Sequence, residues 1–138
     1  MTNIIKGAKI QTKFNICTVI RKILLEDETV QSYVGKKIYP IQAPEKTEGD
    51  YIVYQRDEYS IDRTKAPAIV NQTCVVYISV VSPDYDNSNI IADAVFQALD
   101  GKYNINEDKQ SIRQILMDDS TEDKVGDKYI QTLRFIIK

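Results

Sequence analysis

The chain has 138 residues, with 18 basic and 20 acidic side chains and a formal net charge of −2 at pH 7. This length is usual for one domain with one hydrophobic core, so residues 1–138 are interpreted as a single domain. No segment gathers enough Lys and Arg to neutralise several phosphates, which argues against tight direct binding of nucleic acid. No apolar run approaches the roughly 20 residues of a membrane-spanning helix, and the N-terminus lacks a signal-peptide core, so we expect a cytoplasmic protein.

Two helices are predicted near the N-terminus, after a stretch up to Gln11 that is either an ordered arm or a flexible tail. From Phe14 to Leu25 the apolar residues fall on one arc of a helical wheel, as in an amphipathic helix that packs on a flat surface. Asp27 is placed to cap a second, short helix, and Gly35 is placed to end it in a left-handed turn.

Three strands are predicted next. Lys37–Ile41 is a short strand that Pro40 confines to an edge of the sheet or ends, and Tyr51–Gln55 is a second strand by its aromatic and β-branched content. The following segment, Arg56–Lys65, carries six charges that sum to zero and is either a long exposed loop or an extended hairpin. Ile69–Val81 is apolar on both faces, which predicts a central strand. One of its faces is predicted to hold Val70, Cys74, Val76, Ile78 and Val80.

A third helix is predicted from a cap at Asn87 or Ser88 to about Leu99, closed by Gly101. Its apolar arc, which Ala92 and Phe96 extend, is wider than packing on one sheet face requires. The excess is covered either by the first helix or by a neighbouring subunit.

The C-terminal part is predicted to be a polar loop over Lys102–Lys109 and a hairpin of two strands, Ser111–Met117 and Lys128–Ile137, joined by Asp118–Asp127. The fold class is therefore α+β, with two layers. A mostly antiparallel sheet of about five strands is packed by the N-terminal helices and by one helix between the third and fourth strands.

The composition removes most catalytic templates. The chain has no histidine, and so lacks the commonest general base and the Ser-His and Cys-His nucleophile pairs. Its five glycines are scattered and form no phosphate-binding loop. Cys17 and Cys74 match neither a disulfide framework nor a zinc-ligand spacing, so both are expected to be buried free thiols. No catalytic residue, metal ligand or cofactor is predicted.

Two acidic segments allow a metal interpretation. Asp84–Ser88 begins like a calcium loop, but Asn89 stands where the loop needs Gly and Val95 where it needs Glu, and the alternative is a helix cap. Asp118–Asp127 holds five acids and the single base Lys124, so it could bind a divalent cation or supply paired carboxylates. A solvated hairpin tip explains the second segment with less assumed, and we prefer the structural interpretation for both.

Three local patterns stand out in this order of elements: Val34-Gly35 leading into Ile38-Tyr39-Pro40, the strand Tyr51–Gln55, and the helix end Ile91–Gly101. Together they resemble the tail-terminator, or tail-completion, family of long-tailed bacteriophages and prophages. The resemblance covers Ile16–Gly101 by pattern and the last two strands by order alone.

The resemblance implies a structural virion protein with no enzymatic activity. Members of this family form a ring, typically of six copies, that caps the growing tail tube, stops its polymerisation and joins the tail to the neck. The implied partners are further copies of the chain, the tail-tube protein and a neck or stopper protein, while DNA passes through the ring without specific binding and no membrane is involved. The implied location is the tail-neck junction of a virion assembled in the cytoplasm of a bacterial host.

A closed ring needs two different contact patches on each subunit. We expect the charged segment after the second strand to reach a neighbour or line the ring, with its charges pairing across subunits; a disordered surface loop is the alternative. Two tyrosines in polar segments and one phenylalanine of the wide helix are further interface candidates. The predicted contact residues are Arg56, Asp57, Glu58, Tyr59, Asp62, Arg63, Tyr85 and Phe96.

Two other functions remain open on the sequence. One is another neck or head-tail adaptor, or a component of the tail-tube end. The other, of a different class, is a small-ligand-binding domain or enzyme with a pocket between helices and sheet, against which stand the missing histidine and the lack of converging polar groups.

Overall fold

The computed structural model describes residues 10–65 and 68–138 of the chain. The N-terminal stretch whose character the sequence leaves open lies, up to residue 9, outside the described residues. The described part forms three helices and six strands. In chain order these are α1 (Ile16–Glu26), α2 (Glu28–Val34), β1 (Ile38–Pro40), β2 (Tyr51–Arg63), β3 (Ile69–Ser82), α3 (Tyr85–Leu99), β4 (Tyr103–Glu107), β5 (Gln110–Val125) and β6 (Lys128–Ile137).

The strands form one sheet in the order β1-β2-β3-β6-β5-β4. β1 is parallel to β2, and each of the other neighbouring pairs is antiparallel. The predicted α+β class, with a mostly antiparallel sheet and one helix inserted between the third and fourth strands, is confirmed. β1 lies at the edge of the sheet, where Pro40 costs no interstrand hydrogen bond. The sheet has six strands, one more than the sequence indicates.

The two predicted N-terminal helices are present, with one change at the start. α1 begins at Ile16 rather than Phe14, and the Phe14 side chain is 65% exposed. α2 begins as predicted, because the Asp27 carboxylate accepts a hydrogen bond of 3.0 Å from the backbone N–H of Val30. Gly35 ends the helix at a φ of 58°, a conformation that side chains with a Cβ disfavour.

The charged segment after the second predicted strand is an extended hairpin and not a loop, since β2 continues to Arg63 and pairs with β3. β3 is central, as predicted: Cys74, Val76, Ile78 and Val80 are all 0% exposed. Val70, predicted on the same face, is 57% exposed. The pairing shifts between Asp62 and Arg63, next to Val70, and this end of the hairpin extends beyond the helices that cover the rest of the face.

α3 starts earlier than predicted, at Tyr85, and its cap is Asp84 rather than Asn87 or Ser88. The Asp84 carboxylate accepts a hydrogen bond of 3.0 Å from the backbone N–H of Asn87, which agrees with the helix-cap interpretation of this segment. Over residues 10–65 and 68–138 the structure brings together no group of three or more Asp, Glu or Cys side chains that could hold a metal ion.

The apolar arc of α3 is partly uncovered. Ile91, Val95 and Leu99 are fully buried, whereas Ala92 and Phe96 are half-buried against the core. The first helix and the sheet therefore cover most of the arc and leave an edge of it at the surface.

Two C-terminal predictions are wrong in part. The polar stretch Lys102–Lys109 contains β4, which pairs with the start of β5. The acidic stretch Asp118–Asp127 is exposed at the end of a hairpin, as predicted, but most of it is strand and not a connection, because β5 runs to Val125 and pairs with β6 almost to the turn. Cross-strand partners offset the low strand propensity of these acids, since Asp118 forms an ion pair with Arg134 and Glu122 accepts a hydrogen bond of 3.1 Å from the Gln131 amide.

The core lies between the helices and one face of the sheet, where β6 contributes Leu133, Phe135 and Ile137. On the opposite face of the sheet, which we call the open face, Val75 and Val81 are nevertheless only 5% and 6% exposed. In the part of the chain that the structure describes, no helix is long and apolar enough to cross a membrane.

The buried Phe135 provides a test of this layering. Replacing it with Ala should lower the free energy of unfolding by about 3–5 kcal/mol, because the change leaves a cavity under the helices. The exposed Val70 provides the matched control, and Val70→Ala should change the free energy by less than about 0.5 kcal/mol. Urea unfolding followed by circular dichroism measures both, and equal effects would contradict the assignment of the core.

Candidate functional site

The distal part of the β2–β3 hairpin carries most of the predicted contact residues. Arg56 places its guanidinium 5.4 Å from the ring centre of Phe14 and 5.7 Å from that of Tyr59. The two rings meet edge to face at 5.2 Å. Arg56 and Tyr59, both predicted as contacts, thus form a cation–π cluster with a residue just before α1. No sequence pattern pointed to Phe14 as a surface contact, because the helical wheel assigned it to the first helix.

A hydrogen-bond network fixes this cluster. The Tyr59 hydroxyl donates to the side-chain oxygen of Gln72 and accepts a hydrogen bond of 3.0 Å from the backbone N–H of Lys13. The Gln72 amide donates in turn to the backbone carbonyl of Gln11, at 3.0 Å. The residues before α1 are therefore attached to the hairpin, and the exposed face of Phe14 is presented on a rigid base.

The other predicted hairpin residues, Asp57, Glu58, Asp62 and Arg63, are exposed. The β2–β3 pairing is irregular between Arg56 and Tyr59 and again between Asp62 and Arg63. β2 therefore bends at Asp57 and Glu58 and again at Asp62 and Arg63. The two ion pairs among residues 10–65 and 68–138 lie elsewhere, at Lys22–Glu107 and Arg134–Asp118. The four hairpin charges are thus exposed and outside any ion pair within the described chain.

Tyr85 and Phe96 lie away from the hairpin end, on the side of α3 that faces β5 and β6. The Tyr85 hydroxyl donates a hydrogen bond of 3.0 Å to Glu122, and its ring meets Tyr129 edge to face at 5.4 Å. Phe96 lines a groove of about 300 Å³ between α3 and the sheet. The groove also holds Ala92, Met117 and Leu133 on its apolar side and Asn89, Asp93, Ser120 and Gln131 on its polar side. The predicted contact residues therefore divide into two separate surfaces.

A larger groove, which sequence reasoning missed, adjoins the hairpin end. It has a volume of about 470 Å³ and lies between residues 10–13, the start of β3, the start of β5 and the C-terminal residue of the described chain. We call it the basic groove, because its lining residues include Lys13, Arg113 and Lys138 and no Asp or Glu. A neighbouring groove, which shares residues 10–12, adds Lys109. These cations come from three distant parts of the sequence, so no local pattern could have revealed them.

The two thiols are free, as predicted, with Cys74 buried and Cys17 half-buried in the core layer. Burial raises the pKa of Cys17 to about 11 and raises the pKa of Cys74, although the nearby charge of Arg56 acts in the opposite direction on both. Both sulfurs are therefore protonated at neutral pH, and the reactive thiolate form is disfavoured.

Of the comparisons with known proteins, only the comparison with solved structures gives a match. No protein-family model matches the sequence, and no curated protein sequence matches it. A similar chain occurs in the solved structure of the virion of a native gene transfer agent particle. The match has a TM-score of 0.70 at 18% sequence identity and covers 86% of this chain and 89% of that chain. At this identity the likeness shows a shared fold over nearly the whole length of both chains.

The Tyr59 network makes a specific prediction. Tyr59→Phe keeps the ring in contact with Phe14 and Arg56 but removes both hydrogen bonds of the hydroxyl, so we expect a loss of about 1–2 kcal/mol in unfolding free energy. Tyr85→Phe is the control, because its exposed hydroxyl bonds one carboxylate at the surface and should cost under about 0.5 kcal/mol. Chemical unfolding measures both variants. Equal losses would mean that the network does not hold the N-terminal segment to the hairpin.

Proposed function

We propose that the chain is a ring-forming tail terminator, a structural protein of a phage-like virion that caps the tail tube, stops its polymerisation and joins the tail to the neck. The observation that carries the proposal is the shared fold with a chain of a gene transfer agent virion, over 86% of the present sequence. The order of helices and strands that resembles the tail-terminator family lies within the described fold.

The surfaces of the chain support a role in assembly. A ring requires a heterologous contact, in which one patch of each subunit meets a different patch of the next. Arg56, Tyr59 and the exposed Phe14 form one candidate patch, and Phe96 with Tyr85 belongs to another. Aromatic residues and Arg are enriched in protein interfaces, since they bury much area and make directional contacts.

The proposal also covers the passage of DNA through the ring. The chain has a net charge of −2, so a ring built from its copies carries no net positive charge that would attract the phosphate backbone. Weak interaction suits a channel through which the polymer must move.

A neck or head-tail adaptor is the second candidate. The likeness is to a chain of a virion as a whole, and it favours no single position within that virion. The two functions differ in one requirement. A terminator must bind the end of the tail tube, whereas an adaptor must bind the head side.

The solution mass of the purified protein, measured by light scattering across concentration with and without tail-tube subunits, tests the proposal. A terminator should give a mass near six copies, either alone or once tube subunits are present, and should stop tube growth at substoichiometric amounts. A chain that stays monomeric and ignores the tube subunits would contradict the proposal and favour the adaptor or a ligand-binding domain.

The exposed hairpin charges give a second test of the same proposal. If they pair across subunits, Glu58→Lys and Arg63→Glu should each weaken assembly, most clearly at low salt, where charges are least screened. Lys36→Glu and Glu45→Lys, which change exposed charges elsewhere, should leave assembly unchanged. Sedimentation velocity measures the fraction assembled, and rings that persist in both hairpin variants at low salt would contradict this contact.

A further inference from the structure

The basic groove contains a buried cation that no carboxylate neutralises within the described chain. Lys13 is 7% exposed, and its ammonium donates a hydrogen bond to the backbone carbonyl of Ser111. Neither ion pair among residues 10–65 and 68–138 involves it. Burial lowers the pKa of Lys13 below its ordinary value; Cys74 acts in the opposite direction, and the positive charge of Arg113 in the same direction as burial. Buried charges in proteins are normally paired, so this groove favours an anionic partner.

β5, whose first residues line the basic groove, carries negative charge at its other end. Arg113 lies near the start of β5, and Asp123 lies near its end, about 33 Å away at the usual rise of a strand. We call the segment Asp118–Asp127, at the end of β5 and the turn before β6, the acidic hairpin. Its carboxylates at 119, 123 and 127 are exposed and take part in neither of the two ion pairs of the described chain.

The strand pairing places two of these carboxylates on the same face of the sheet. In β5, residues 119 and 123 pair with residues 134 and 130 of β6, whose side chains lie on the open face. Because side chains alternate along a strand, Asp119 and Asp123 share that face, away from the helices. The sheet therefore presents two carboxylates on its open face toward one end, four residues apart along β5, and a basic groove at the other end.

We propose that the acidic hairpin of one copy docks in the basic groove of the next, so that Asp119 and Asp123 meet Lys109 and Arg113 around the buried Lys13. This inference rests on the proposed function, because it names the contact that joins successive copies in the ring. It is a head-to-tail contact, as cyclic assembly requires, and both of its halves are present on every subunit.

Two charge-reversed variants test the contact. The hairpin variant carries Asp119→Lys and Asp123→Lys, and the groove variant carries Lys109→Glu and Arg113→Glu, while Lys13 is left unchanged because its burial makes it part of the folded core. Each variant alone presents like charges to its own copies, so its association should fall by at least about tenfold at low salt.

Mixing the two variants gives the decisive measurement. In an equimolar mixture every hairpin again finds a groove of opposite charge, so two preparations that fail separately should assemble together in alternation. Sedimentation velocity at low salt, with tail-tube subunits present if the unmodified chain needs them, measures the assembled fraction. Circular dichroism checks that both variants are folded.

Controls with the same change in net charge separate the contact from a general charge effect. Glu26→Lys with Glu45→Lys matches the hairpin variant, and Lys36→Glu with Lys102→Glu matches the groove variant; all four residues are exposed and lie outside both surfaces. Both controls should assemble like the unmodified chain.

The outcomes distinguish the inference from the function on which it rests. If the unmodified chain forms rings and the variants do so equally well, the hairpin–groove contact is wrong and the terminator proposal stands. If the variants fail singly and the mixture does not recover, the charges act through something other than this pairing, and the inference is again overturned. If the unmodified chain never assembles, with or without tube subunits, both proposals fail.

Discussion

The burial of β3 on both faces is the constraint on which the rest of the structure depends. Its residues from Cys74 to Val80 that point toward the helices are fully buried, and Val75 and Val81 on the open face are almost as inaccessible. Because β3 pairs with β2 on one side and β6 on the other, it fixes the register of both long hairpins. Both hairpins therefore extend from a rigid centre, and their ends are positioned without help from loops.

The sequence was sufficient wherever periodicity and burial coincide. The helices and β3 were predicted because apolar residues repeat at the helical or strand period, and Asp27 and Gly35 mark the ends of α2 by local chemistry. The second half of β5 was missed because Asp residues disfavour strands and their stabilising partners, such as Arg134 for Asp118, lie beyond the turn. The polar residues of β4 likewise indicate a loop when taken alone, and it is the pairing with β5 that makes them a strand.

For the candidate site, the sequence predicted single contact residues but not the clusters that they form. Arg56 and Tyr59 were expected at a surface contact, but the cluster that they form depends on Phe14, which is distant in the sequence. The basic groove depends in the same way on the meeting of residues 10–13 with the starts of β3 and β5 and with the residue after β6. Such sites are consequences of topology, and a pattern along one segment carries no information about them.

The acids of β5 also oppose pairing between the sheet edges of free chains. Beyond Met117, whose backbone N–H bonds the Asp100 carboxylate, the described chain supplies no strand on the outer side of β5. An exposed strand edge invites pairing with other chains, and charged side chains are a common means of preventing it. Like acidic ends repel each other, so two copies cannot join hairpin to hairpin without cost, whereas a hairpin that approaches a basic groove is attracted. Under the proposed contact, the same carboxylates disfavour symmetric pairing and favour the head-to-tail orientation that a ring of more than two copies requires.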